Sequence, residues 1–281
     1  MFDTHCHLNF KAFDKNLDEV IKKAQKAGVE TIVIPGTDVV TSKKAVEIAE
    51  KYGGVYAAVG IHPHHVFEIF KSSMPFSRQQ NKGKSWLEKA SSLNQIEELL
   101  KNPKVLAVGE IGLDRHIYKK TKYADYQVDE DFINLQRKLF LEQLKLAKKY
   151  QKTLIIHNRQ AKKDLLELLN TYYFLLNTKI VFHCCEPDDE LLYFAIKNNI
   201  FIGVDGDVVY SPEKQKFIKK VPLDLLVLET DSPFLSPFRK FPNTPENLKY
   251  IAEFVTKLKD ISIEDLIKTT TKNANKLFFK E

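Results

Sequence analysis

Eight short runs of β-branched and apolar residues recur along the chain, separated by longer amphipathic stretches. They are Met1–Thr4, Thr31–Pro35, Val55–Ile61, Val105–Glu110, Thr153–His157, Lys179–His183, Ile200–Val204 and Leu225–Thr230. Several are apolar throughout, without the alternation of a half-exposed strand, as a parallel sheet covered on both faces requires. Between them the period becomes helical. Leu17–Ala27 sets Leu17, Val20, Ile21 and Ala24 on one face and meets Gly28 as a stop. Phe132–Tyr150 repeats the pattern with Leu135, Leu139, Phe140, Gln143, Leu144 and Ala147. Leu248–Leu258 and Ile263–Leu277 form a polar-faced closing pair, the second opened by Ser262 as N-cap. Strand–helix alternation through eight strands predicts an α/β fold, a (β/α)8 TIM barrel in one domain over residues 1–281, rather than a doubly wound open sheet.

Two polar segments interrupt the pattern, Phe67–Asn94 after the third strand and Arg115–Asp131 after the fourth. Both read as loop insertions that overhang the C-terminal ends of the strands, the face on which barrel enzymes carry their chemistry.

With 281 residues, 43% hydrophobic and 28% charged, the chain has ample length for a packed core. Its formal charge of +6 comes from lysine; it is compatible with a polyanionic ligand without requiring one. The basic stretches Lys119–Lys122 and Lys214–Lys220 read as solvated faces. The three cysteines, Cys6, Cys184 and Cys185, have no framework spacing, which argues against a disulfide scaffold and for small apolar fillers. The chain opens without a secretory pattern, and no apolar run approaches the ~18 residues of a membrane span. The expectation is a cytoplasmic protein with no membrane association and no obligate protein partner.

Polar residues of metal-ligand type fall at the strand ends. His5 and His7 sit two residues apart in Asp3-Thr4-His5-Cys6-His7, and in a strand such a pair faces one side. Glu110, His157, His183 and Asp231 each close or follow an apolar run, and His62 and His64 follow the third. Strand ends around a barrel converge, and buried polar groups are costly unless paired or metal-bound. Four histidines, one Glu and one Asp suit a two-metal site. Glu110, on a middle strand, is the natural bridge, because a carboxylate has two oxygens and an imidazole one lone pair. The histidine-rich set favours Zn²⁺, Mn²⁺ or iron over Mg²⁺.

With these residues in place the chain resembles the TatD family of metal-dependent deoxyribonucleases, within the amidohydrolase-like superfamily. The resemblance rests on Asp3-Thr4-His5-Cys6-His7, Pro35-Gly36-Thr37, Gly60-Ile61-His62-Pro63-His64 and Gly109-Glu110-Ile111-Gly112-Leu113-Asp114. His157-Asn158-Arg159, His183-Cys184, Glu229-Thr230-Asp231-Ser232-Pro233-Phe234-Leu235, Asn243-Thr244-Pro245 and Thr271-Lys272-Asn273-Ala274 come after them in order. It implies metal-dependent hydrolysis of DNA phosphodiesters, as a 3′–5′ exonuclease, with DNA as substrate. It also implies two divalent cations per subunit, zinc, manganese or magnesium. His5, His7, Glu110 and Asp231 match the ligands of one, and Glu110, His157 and His183 those of the other. Asp231 also matches the general base, and His62 and His64 the histidines beside the scissile phosphate. Arg159 and Arg239 suit phosphate contacts, since a guanidinium bonds phosphate bidentately. Asp3 and Asp114 suit hydrogen bonds that orient the ligands.

Departures cluster after His183. Where the family places an aromatic, a small hydroxyl residue and Gly, this chain has Cys185-Glu186-Pro187. Glu186 near a phosphate is repulsive unless it points away, and Pro187 lacks the N–H and freedom of Gly. After Leu113-Asp114 the family's aromatic is replaced by Arg115-His116. Two alternatives stay open: an amidohydrolase-type hydrolase of a small amide, lactone or ester, and a non-catalytic barrel that binds metal or nucleic acid. Glu110 at a position where many amidohydrolases carry a carbamylated Lys favours the nuclease.

Overall fold

The computed structural model of the chain describes residues 1–66, 85–119, 128–172, 178–239 and 242–279, with the backbone alone for 85–90. Eight strands form one parallel sheet in sequential order. They are β1 (Phe2–Asp3), β2 (Thr31–Pro35), β3 (Val55–Val59), β4 (Val105–Asp114), β5 (Thr153–Arg159), β6 (Ile180–Phe182), β7 (Phe201–Val204) and β8 (Leu226–Leu228). The sheet curls into a (β/α)8 barrel. Its seam is joined where Thr4 N donates to Leu228 O, Asp231 N to His5 O and His7 N to Ser232 O. Helices cover the outside: α1 (Leu17–Lys26), α2 (Val39–Lys51), α3 (Ser85–Leu99), α4 (Glu130–Tyr150), α5 (Lys162–Tyr172), α6 (Asp189–Lys197), α7 (Pro212–Lys220), α8 (Leu248–Lys259) and α9 (Ile263–Phe278).

Local chemistry sets the helix ends. Asp38 and Thr41 form a reciprocal capping box on α2, and Ser262 accepts from Asp265 N to open α9. After α1 the chain turns at Gly28 with φ +84°, a conformation glycine adopts without Cβ strain. Of the expected insertions, residues 67–84 and 120–127 lie outside the described residues. Residues 85–94 are not loop but the first part of α3.

The core has two layers, divided by the two-residue period of a strand. Phe2, Val33, Ala58, Ala107, Ile155, Val181, Phe201 and Val227, one from each strand, pack together inside the barrel. Ala274, Leu277 and Phe278 of α9 pack against them. Neighbours of opposite parity, such as Ile32, Ile34, Leu154, Ile156 and Ile202, belong to the larger core between sheet and helices. Burying an aliphatic or aromatic side chain of this kind stabilises the fold by about 1.5–3 kcal/mol.

Inward parity then continues toward the C-terminal ends. Two residues beyond Ile155 stands His157, beyond Val181 stands His183, and beyond Val227 stands Glu229. On β5, β6 and β8 the interior thus changes from apolar to ligand-type residues within one step along the strand.

Candidate metal centre

Glu110 does not obey that parity unaided. The fourth strand does not end at Glu110 as expected: β4 runs on to Asp114, paired with β5, which itself runs on to Arg159. Between Val108 and Ile111 the register with β5 slips: three steps along β4 match two along β5, from Leu154 to Ile156. The extra residue is a β-bulge, which reverses the facing of the residues after it. Glu110 N donates to Gly36 O of the segment after β2, and Gly112 pairs with His157. A Cβ at Gly112 would meet His157 O at 1.8 Å, so only glycine fits there.

The two oxygens of Glu110 face different histidines. Oε2 lies 3.7 Å from both His5 Nε2 and His7 Nε2, which are themselves 3.2 Å apart. Asp231 Oδ1 completes that group at 3.7 Å from His5 and 3.4 Å from His7. Oε1 lies 2.8 Å from His157 Nδ1 and 3.8 Å from both His183 Nε2 and His62 Nε2. β1 itself ends at Asp3, yet the chain stays hydrogen-bonded on both sides as far as His7, with Cys6 N donating to Val33 O. That keeps His5 and His7 on one face.

His157 and His183 are each backed by a carboxylate. His157 Nε2 is 3.0 Å from Asp114 Oδ2, and His183 Nδ1 is 3.1 Å from Glu229 Oε1. Glu229 also accepts from Cys184 N, and its carboxylate fills the space a Cβ on Gly203 would take. Asp3 accepts from Thr230 N and Oγ1, tying β1 to the segment that carries Asp231. On α4, two buried glutamines each grip one residue at or beyond a strand end by both backbone groups. Gln143 bonds N and O of Ile61, beside His62, and Gln136 bonds N and O of Asp114.

Charge in the site points to a cation. Burial pushes Glu110 up, but His62, His157 and His5 outweigh it and hold the carboxyl well below the usual range. Burial opposes charge on His157, yet its hydrogen bonds to Asp114 and Glu110 push it up to about 10. His183 goes up to about 9 against burial, through Glu229, Glu110 and Asp231. His5, buried and facing His183, drops to about 4 despite Glu110, and burial beside His157 takes His62 well below its ordinary value. Left to the protein's own charges, the carboxylates draw protons onto two histidines while two others stay neutral. Neutral imidazole nitrogens and ionised carboxylates around one space are the donor set of a divalent ion. His5, His7 and Glu110 bring one such atom each within 4.8 Å of the others, as do His5, His183 and Glu229, and His62, Asp114 and His157.

The cleft above the centre has a volume of ≈ 580 Å³ and is bordered by His7, His62, Glu110, His157, His183 and Asp231. Phe10, Tyr118, Arg159, Glu186 and Lys214 form part of its wall. The two sequence-predicted histidines after β3 separate. His62 borders the cleft, whereas His64 is buried behind it, 3.2 Å from Asp114 Oδ2. Arg239 is not on the described cleft wall; its guanidinium lies over Tyr210, 4.2 Å from the ring centroid. Lys214, expected on a solvated face, is buried instead, 2.6 Å from Asp205 Oδ2 and 2.8 Å from Asp207 Oδ1. Cys6 and Cys185 are buried free thiols, as fillers should be, whereas Cys184 is half-buried and borders the cleft. Sequence reasoning gave no role to Glu229, Tyr118, Gln136, Gln143 or the Asp205–Lys214 pair. Glu229 was within reach of it, two residues before Asp231 on the same facing.

Comparison with known proteins decides the family. The family described as TatD related DNase matches residues 2–279. The chain belongs to this family. The TatD relatives include the uncharacterized metal-dependent hydrolase YabD of Bacillus subtilis, 34% identical, covering 99% of this chain and 98% of that protein. The human deoxyribonuclease TATDN3 is 31% identical and covers 100% of this chain and 95% of its own length. Among solved structures, YjjV, a TatD homolog from Escherichia coli, superimposes with a TM-score of 0.80 at 28% identity, covering 99% of this chain and 97% of that one. As a TatD protein the chain is a metal-dependent hydrolase, and its described helices include none long and apolar enough to cross a membrane.

Proposed function

We propose that this TatD-family hydrolase cleaves DNA phosphodiester bonds with two divalent cations, which would share Glu110 as a ligand. The observation that carries the reading is the division of Glu110, Oε2 toward His5 and His7 and Oε1 toward His157 and His183. His5, His7, Glu110 and Asp231 would hold one cation, and Glu110, His157 and His183 the other. Bound there, such a pair supplies positive charge to phosphate oxygens and lowers the pKa of water. The histidine-rich set favours zinc, manganese or iron over magnesium.

The chain's own residues do the rest. Asp231 borders the cleft and stands as general base, taking a proton from the attacking water. His62, neutral at rest, faces the same space; its Nδ1 accepts from His64 N, which leaves its Nε2–H to hold the phosphate. Asp114 and Glu229 fix the rings of His157 and His183. Arg159 offers its guanidinium to a phosphate. Support for DNA as substrate comes from the family description and from the relatives named deoxyribonuclease.

The test is incubation of metal-loaded protein with end-labelled single-stranded and duplex DNA. Strands should shorten from the 3′ end in the presence of metal. EDTA, His183→Ala and Asp231→Asn should each abolish the shortening. Protein that carries two metals, leaves DNA intact and turns over a lactone or amide would overturn this reading.

A further inference from the structure

Glu186 is a departure from the family pattern that lines the cleft, and the structure turns its carboxylate to a use. Its Oε2 accepts from Gln160 N at 2.9 Å and from Asn158 Nδ2 at 3.2 Å. These two residues flank Arg159. Gln160 holds φ +54°, a left-handed conformation that is uncommon for a residue with a Cβ and persists where neighbours fix it. Glu186 supplies such a fixing bond from across the β5–β6 interval. Its repulsion of substrate, expected from sequence, is blunted because the oxygen is already engaged with two donors.

Arg159 is the cation this clamp presents. Its guanidinium lies over Tyr118, 5.2 Å from the ring centroid, and Nη1 donates to Tyr118 Oη at 3.1 Å. Tyr118 Oη in turn donates to Asp114 Oδ2 at 2.9 Å, so the guanidinium sits at the outer end of a chain that begins at His157. Among the described residues Arg159 has no carboxylate partner. The other cation on the cleft wall, Lys214, is bracketed by Asp205 and Asp207. Arg159 is therefore the cation of the described wall whose charge is open to an incoming anion.

We infer that Glu186 is a positioning residue, which acts through the Asn158–Gln160 turn to aim Arg159 at a second phosphate of the strand being cut. The inference rests on the nuclease reading above, since it needs a substrate with a further anion beside the scissile bond. The charge of Glu186 is not what matters; its acceptor oxygen is.

A double-mutant cycle separates this from a general structural role. Metal-loaded protein and its Arg159→Ala, Glu186→Ala, Glu186→Gln and doubly substituted (R159A/E186A) forms are compared on a labelled oligonucleotide. Arg159→Ala should raise KM about tenfold or more, the loss typical of one charge-assisted contact, with a smaller effect on kcat. Glu186→Ala should raise KM in the same sense, and Glu186→Gln, which keeps an acceptor oxygen, should recover most of the loss. In the Arg159→Ala background, Glu186→Ala should add nothing. The slope of log Kd against log salt should fall by about one for Arg159→Ala and for Glu186→Ala. Additive effects in the cycle, or Glu186→Gln as damaging as Glu186→Ala, overturn the positioning role while leaving the nuclease reading intact. Unsubstituted protein that neither binds nor cuts DNA overturns both.

Discussion

Asp114 lies 3.0 Å from Nε2 of His157, on the side of the ring opposite the nitrogen that faces Glu110. In the neutral ring that a cation would bind, this sets the tautomer. With Nε2–H donated to Asp114, the Nδ1 lone pair is left toward the metal centre. Asp114→Asn keeps the shape but can donate to the ring, which pushes the proton toward Nδ1. Metal affinity should fall about 10–100-fold, the usual loss when such a partner is changed. Competition with a chromophoric chelator measures it; unchanged affinity would sink the tautomer argument.

The same logic on the far side of the barrel can be tested without touching a ligand. Gly203 on β7 faces the Glu229 carboxylate, whose atoms lie 2.4 Å from where a Cβ would stand. Gly203→Ala should displace Glu229 and, through it, His183. We expect the variant to fold, with the circular dichroism of the parent, and to retain less than the full metal content by elemental analysis. Full occupancy would mean that Glu229 does not hold His183 in place.

A third prediction concerns pH. Burial and the neighbouring Asp205 carboxylate push Asp207 up from 3.8 to about 7, against the pull of Lys214. A carboxyl whose native pKa is raised binds its proton more tightly folded than unfolded, so stability is lost as pH rises from about 4 to about 7. Asp207→Asn cannot ionise and escapes that loss. It should melt above the parent at about pH 8, with the gap shrinking toward about pH 4. Calorimetric scans across that range check it, and a gap independent of pH would refute it.

Metal removal should also be visible in stability. Cations that bind the folded chain alone stabilise it by mass action, about 2.7 kcal/mol at a free concentration one hundred times Kd. Dialysis against EDTA should lower Tm, and restoring zinc or manganese should return it. Identical melting with and without metal would mean that the histidine cluster takes up no cation under those conditions.

Much of this was legible in the residues. Apolar runs alternating with amphipathic stretches marked all eight strands, because a strand buried on both faces has no polar positions to spare. His157 and His183 were accessible from parity, being two residues beyond Ile155 and Val181. Glu110 was not. In an unbroken β4 it shares the parity of Val108, which faces the outer core, and a bulge that appears only when β4 pairs with β5 turns it inward. Lys214 looked solvated within a basic stretch; its burial depends on Asp205, nine residues away on another element.

The sequence by itself determined the barrel, the strand ends as the working face and the set of ligand-type residues that gather there, because those depend on local period and on residue chemistry. Tertiary structure alone decided which residues share the cleft and which stand behind it. It set His62 on the cleft and His64 behind it, buried Lys214 between carboxylates and left Arg159 open under the clamp of Glu186. Such assignments depend on distances between atoms far apart in the chain, and periodicity carries no information about them.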